Sequence, residues 1–310
     1  MNRRRFLAAT LATPFARGVG AASTPVVVDE VWTDRVRNRE VPVRIRVPAE
    51  PGGAPVILFS HGLGGSVAGG TRWGEAWSAH GYVCVHLQHH GSDEALWKTR
   101  NLIEAYRNLK GAMTVENGLA RVGDVRFVLD EIARRRTAGE RPWASADTGR
   151  VGMSGHSFGA RTTLSVVSQA ADPRISAAIA MSPMGEKGEA ANRARSGLVR
   201  VPFLSLTGTE DRVPILDDAD PAERRVPFEF MPAPDKYLLV LAGADHMVFN
   251  GEPLGRRWSD ANREVHAPLI ERVSLTFWDA HLRGDARARG ALAGTEIRDA
   301  VGRSGEWLVK

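Results

Sequence analysis

The stretch that most constrains the fold of this chain runs from Gly149 to Ala160 and reads GRVGMSGHSFGA. A short apolar run, Val151 to Met153, stops at Gly155-His156-Ser157-Phe158-Gly159, and Thr162, Leu164, Val166 and Val167 then follow at helix-like spacing. The pattern is strand, tight turn, helix. Glycines on both flanks of such a turn let the backbone double back sharply enough to hold a serine hydroxyl clear of a sheet. G-x-S-x-G also arises by chance in Gly/Ser-rich turns, but here the flanking strand and helix supply the context the motif requires. Ser157 is the candidate nucleophile.

Around this stretch the chain alternates strands and helices. Val26 to Trp32 and Val41 to Val47 alternate apolar and polar residues, as an antiparallel hairpin does. Val56 to Phe59 is a continuous apolar run ending in Ser60-His61-Gly62-Leu63-Gly64-Gly65. Apolar residues at every position imply burial on both faces, as in a parallel sheet. Trp73 to His80 fits a helix ended by Gly81, and Tyr82 to Leu87 fits the next buried strand. Ser92 to Gly118 is a weakly patterned helical excursion, expected over the strand ends.

Val122, Val125, Val128, Leu129 and Ile132 recur at helical intervals, and Arg134-Arg135-Arg136 closes that helix with cations favourable to its dipole. The helix after Ser157 is expected to reach about Ala171. Strands follow at Ala177 to Met181, Val201 to Leu206 and Tyr237 to Leu241, then a closing helix from Ala261 to Leu282. Asp285 to Lys310 reads as a polar tail. This order argues an α/β fold with a mostly parallel, doubly wound sheet flanked by helices, whose ligand crevice lies at the carboxyl ends of the strands.

The N-terminus reads differently. Arg3-Arg4-Arg5-Phe6-Leu7 opens a weakly apolar run leading to Gly18-Val19-Gly20-Ala21-Ala22, similar to a twin-arginine (Tat) export signal with a small-residue cleavage site. Residues 1–22 are expected to be this signal and 23–310 a single domain, exported to the periplasm or secreted. The apolar run is too short to span a membrane, and no other stretch is long enough, so no stable membrane insertion is expected. Losing the signal takes Arg3, Arg4, Arg5 and Arg17, and no acid, from a formal charge of +5. Nothing then argues for nucleic acid as a partner. The single cysteine, Cys84, lies in an apolar strand and reads as a buried small hydrophobe.

Chemistry-bearing residues collect at strand ends: the His61 to Gly64 loop, Ser157, Asp211 after Val201 to Leu206, and His246 after Tyr237 to Leu241. A serine hydroxyl is a poor nucleophile at neutral pH and needs a base within hydrogen-bond reach. His246 is the expected base, with Asp211 fixing its tautomer and stabilising the imidazolium. Asp217, Asp218 and Asp235 are fallback acids, and Asp245 adjoins the histidine without being able to face its ring. The backbone N–H groups of Phe158 and Leu63 are the expected oxyanion donors. His156 is expected to pack, and His89 and His90 carry no spaced ligands for a metal. No cofactor or metal is expected. Trp73, Trp97, Met184 and Phe249 are candidates either for an acyl pocket or for ordinary core packing.

The order Ser, Asp, His at these strand ends resembles the α/β-hydrolase superfamily from about Val26 to Leu282. Phe59-Ser60-His61-Gly62-Leu63-Gly64, Gly155-His156-Ser157-Phe158-Gly159 and Asp124-Val125-Arg126-Phe127-Val128-Leu129-Asp130 resemble the platelet-activating-factor acetylhydrolase and dienelactone-hydrolase-like group. That resemblance also implies Leu63 and Phe158 as oxyanion donors. The acetylhydrolases place their acid after the strand following the elbow, where this chain has Ser182-Pro183-Met184. An acid one strand later, at Asp211, is more similar to cutinase-type serine esterases, although Met184 replaces the aromatic clamp that polyester hydrolases tend to carry there. Dienelactone hydrolases proper use cysteine in place of Ser157.

The expectation is an exported serine carboxylesterase acting through an acyl-enzyme on small or medium acyl esters. Serine thioesterase or perhydrolase chemistry would use the same residues, and a catalytically inactive hydrolase fold used for binding is the reading of another class.

Overall fold

A strand that is apolar at every position can only be sheltered by layers on both sides. The computed structural model, which describes residues 24–99, 101–213, 220–251 and 263–310, has that architecture. Its strands are β1 (Val26–Asp34), β2 (Arg39–Val47), β3 (Pro55–Ser60), β4 (Val83–Leu87), β5 (Asp147–His156), β6 (Ile175–Met181), β7 (Phe203–Glu210), β8 (Lys236–Asp245) and β9 (Gly305–Val309). They form one sheet in the order β1-β2-β4-β3-β5-β6-β7-β8-β9. The six strands from β4 to β8 are mutually parallel; β1, β2 and β9 join antiparallel at the two ends.

The helices are α1 (Thr71–Ala79), α2 (Leu102–Gly111), α3 (Val115–Thr137), α4 (Phe158–Val166), α5 (Glu189–Arg195), α6 (Val226–Phe230), α7 (Arg263–Leu282), α8 (Ala286–Ala293) and α9 (Glu296–Val301). Alternate strand residues feed two separate cores. Val56 and Leu58 of β3 pack with Val125 and Leu129 of α3 and Leu164 of α4, whereas Ile57 and Phe59 pack with Trp73 and Trp77 of α1 and Phe277 and Trp278 of α7. Each continuous apolar run is thus two interleaved faces. Cys84 is a free, buried thiol within the second core, as expected.

Two expectations are corrected. The helix after Ser157 ends at Val166, not near Ala171. The β-branched pair Val166-Val167 is followed by Ser168, whose hydroxyl turns back to the Leu164 carbonyl at 2.6 Å, and the chain leaves the helix in turns toward β6. The segment from Asp285 onward is structured, not a patternless tail: Asp285 caps α8 by accepting from the N–H groups of Arg287 and Ala288, and β9 pairs with β8. Its elements are too short to show a period, each being held by one or two anchors such as Leu292, Ile297 and Trp307.

Among the described residues no helix is long and apolar enough to cross a membrane. The expected export signal, residues 1–22, lies outside them.

Candidate active site

Parallel register brings the strand ends together. Ser60 of β3 is level with Gly155 of β5, His156 with Met181 of β6, and Glu210 of β7 with Asp245 of β8. His61, Ser157, Ser182, Asp211 and His246 are therefore the residues that immediately follow five parallel strands along one edge of the sheet.

Ser157 joins β5 to α4 with φ 55° and ψ −114°, a conformation that side-chain-bearing residues avoid and that commonly stores strain at functional sites. Its N–H is anchored to the Met181 carbonyl at 2.9 Å. The flanking glycines are needed for space, since neither has a positive φ. A Cβ on Gly159 would lie 1.9 Å from the Ser60 carbonyl oxygen, and one on Gly155 would lie 2.5 Å from the Gly159 backbone. The left-handed backbone falls on the serine itself.

Asp211 and His246 are paired, Oδ1 to Nδ1 at 2.6 Å, with the carboxylate fully buried. The second carboxylate oxygen accepts from the Thr207 hydroxyl at 2.9 Å. Burial alone would raise the Asp211 pKa, but the hydrogen bond and charge of His246 and the charge of Arg224 outweigh it and hold the carboxyl below its usual value. The aspartate is therefore an anion facing Nδ1–H. Nε2 of His246 is the ring nitrogen that Asp211 does not engage. No hydrogen bond joins Ser157 to His246 in this resting arrangement.

His156 packs, as expected, and does so against His246. Its ring lies 4.5 Å from that of His246, and its Nε2–H donates to the His246 carbonyl at 2.9 Å. Burial first, and then the neighbouring His246, push its pKa well below the usual value against the raising effect of Asp211, so it stays neutral. Asp245 accepts from the N–H groups of Met247 and Val248 and so shapes the turn that carries His246. Asp235 sits at the start of β8 beside the Tyr237 hydroxyl, at the other end of the strand. Asp217 and Asp218 lie outside the described residues.

Phe158 opens α4, and its N–H is one of the orphan donors of a helix start. In the glycine loop, Gly64 donates to the Ser92 carbonyl and Gly65 to the Gly62 carbonyl, while the Leu63 N–H takes no part in these ties. The excursion after β4 does lie over this loop: the Trp97 indole donates to the Gly64 carbonyl, and Leu109 of α2 packs against Gly64. Trp97 is half exposed, whereas Trp73 and Phe249 are core residues joined by an indole-to-carbonyl bond.

Sequence reasoning missed two arginines. Arg224 is buried, with Nε 2.8 Å from Asp211 Oδ1 and Nη1 3.2 Å from the Ser182 carbonyl. In sequence it is one of a pair in the charged stretch Ala222-Glu223-Arg224-Arg225, which marks nothing. Arg121, fully buried on α3, stands four residues before Val125 and seven before Val128 on the apolar face of that helix, where a charged residue reads as a break in the period. His89, considered only as a metal ligand, instead accepts from Ser60 Oγ through Nε2 (2.8 Å) and donates from Nδ1 to Asp124 (2.9 Å).

Among the described residues no cluster of three or more His, Cys, Asp or Glu could hold a metal ion. A groove of 820 Å³ lies elsewhere, between the β1–β2 hairpin and α3, with Val31, Arg35, Arg126 and Glu131 in its walls; it includes none of His61, Ser157, Ser182, Asp211 and His246. No protein-family model matches this chain, and no curated protein matches it.

Proposed function

We propose that this chain is a serine hydrolase of α/β-hydrolase fold that cleaves small or medium acyl carboxylic esters through an acyl-enzyme. The observation that carries this reading is the left-handed Ser157 between β5 and α4, set along the same sheet edge as the buried Asp211–His246 pair. A strained, partly buried serine at a helix start beside a histidine of fixed tautomer is what acyl transfer requires.

In the proposed reaction His246 Nε2 takes the Ser157 proton as Oγ attacks the ester carbonyl, and the ionised Asp211 stabilises the imidazolium. Hydrogen bonds of this kind are often open in a resting site and tighten once substrate is bound. The developing oxyanion is received by the N–H groups of Phe158 and Leu63, each worth about 3 kcal/mol in such sites. Collapse expels the alcohol, protonated by His246, and water then repeats the sequence on the acyl-enzyme. The partner is a small-molecule ester, and the chemistry draws on no cofactor or metal. Export to the periplasm or medium is proposed from residues 1–22 alone.

A fluorophosphonate, which phosphonylates an activated serine, tests the reading. The wild-type protein takes up the label and Ser157→Ala does not.

A further inference from the structure

Arg121 projects from α3 into space sealed from solvent, and each of its guanidinium nitrogens has an acceptor. Nε donates to Thr162 Oγ1 at 2.9 Å, Nη1 to Ser92 Oγ at 2.9 Å, and Nη2 to Ser60 Oγ at 3.0 Å and to the His61 carbonyl. Its Cζ lies 4.6 Å from the centre of the Phe158 ring.

These acceptors bracket the two backbone donors assigned to the oxyanion. The His61 carbonyl is fixed just ahead of Gly62-Leu63. Ser92, held through its hydroxyl, presents its carbonyl to Gly64 N–H at 2.9 Å, immediately after Leu63. On the other side Thr162 passes the connection back to the Phe158 carbonyl at 3.0 Å, while the Phe158 ring lies on the guanidinium. One planar cation therefore touches both halves of the site, the glycine loop and the start of α4.

Behind it runs a chain with its donors in one direction. Arg121 donates to Ser60, Ser60 to His89 Nε2, and His89 Nδ1–H to Asp124, which also accepts from Arg39 at 2.7 Å. Although it repeats the Ser-His-Asp order, this chain is fully buried and its serine accepts from Arg121, so it serves no substrate. It fixes the serine hydroxyl as an acceptor for the arginine. A buried cation is costly unless its donors are met, and an apolar side chain of similar length would fill the same space without that cost. What the guanidinium adds is orientation, because its rigid fork fixes several acceptors relative to one another.

We propose that Arg121 is a positioning residue for the oxyanion-binding backbone, holding the Leu63 and Phe158 N–H groups at one fixed separation. It rests on the serine-hydrolase reading above. Loss of the fork lets the two donors drift apart, which weakens binding of the tetrahedral state and leaves ground-state binding of the ester nearly untouched.

The test uses the full-length protein, with Arg121→Met, Arg121→Lys and Thr162→Val, hydrolysing nitrophenyl esters and inhibited by an alkylboronic acid, whose serine adduct is tetrahedral. In Arg121→Met and Arg121→Lys, kcat falls about 100-fold while KM stays within about 3-fold, and boronate affinity falls in step with kcat. Thr162→Val, which removes one link and keeps the shape, lowers kcat and boronate affinity together by about 5-fold. A folded Arg121 variant with wild-type kcat and boronate affinity overturns the proposal, as does one in which KM rises and kcat does not change. If Arg121→Met does not fold, Thr162→Val decides by the same two readouts. A wild-type protein that hydrolyses no ester and takes no fluorophosphonate instead removes the underlying reading, a result seen before any variant is made.

Discussion

The tightest constraint in the site is at Asp211, where the His246 ring and the Arg224 guanidinium meet one buried carboxylate. His246 and Arg224 share Oδ1, at 2.6 and 2.8 Å, and Thr207 takes the other oxygen. The aspartate thus faces both the His246 ring and the buried Arg224 guanidinium. Asp211→Asn is expected to lower kcat by about 10⁴, as loss of the acid does in other triads. It should also lower the free energy of unfolding by about 3 kcal/mol, because Arg224 is left as a buried charge with less compensation. Denaturant unfolding beside steady-state kinetics checks both effects, and near-normal turnover would pass the role to another acid. Ser157, Asp211 and His246 were legible in the sequence because each directly follows an apolar strand. Arg224 and Arg121 were not, since a buried arginine is recognisable only from acceptors that lie 40 or more residues away in the case of Thr162, or on other strand ends in the case of Ser182.

At the level of elements, strands buried on both faces were readable, and short ones with a single anchor were not. The runs containing Ile57, Val85 and Ile179 declared themselves by continuous apolarity. By contrast β9 buries only Trp307, which stacks on Tyr237 of β8 and donates its indole N–H to the Leu292 carbonyl at 3.1 Å. Such a strand has no alternation to detect, and only the neighbouring strand makes it one. Because β9 pairs with Tyr237 to Leu241, away from the end that carries His246, its contribution is to stability and not to catalysis. Trp307→Ala should lower the free energy of unfolding by about 3 to 5 kcal/mol and leave kcat unchanged at temperatures where the protein stays folded. A fall in kcat without a fall in stability would contradict that division. The helix after Ser157 was overestimated for a local reason: the Ser168 hydroxyl competes for helix carbonyls, and no apolar period marks where that competition wins.

Across the whole molecule, the layered sheet lines up the strand-end residues along one edge and encloses His61, His86, His89 and His156 fully and His281 in part. His61, His86, His89, His156 and His281 all have pKa values lowered first by burial; for His86, with the charge of Arg46 beside it, the value is pushed down to about 3. In the unfolded chain each would protonate near 6.5, so below that pH the unfolded state binds more protons than the folded one. Stability is therefore full above about pH 6.5 and declines as the pH falls toward the folded values, by up to about 1.4 kcal/mol per unit for each histidine. Asp124 and Asp211, whose folded pKa values are lowered, lose their contribution only at still lower pH, below about 4. The urea midpoint should thus fall steeply between about pH 7 and pH 5, and a flat profile there would show that these rings are not buried and neutral.

Whether this sheet edge activates Ser157 is read by covalent trapping. The most direct measurement is the intact mass of the full-length protein after treatment with a fluorophosphonate, with the adduct then located by peptide mapping. A single adduct is expected on the peptide carrying Gly155-His156-Ser157-Phe158-Gly159, absent from Ser157→Ala and formed far more slowly in Asp211→Asn. A folded wild-type protein that remains unmodified, or an adduct that persists in Ser157→Ala, would contradict it.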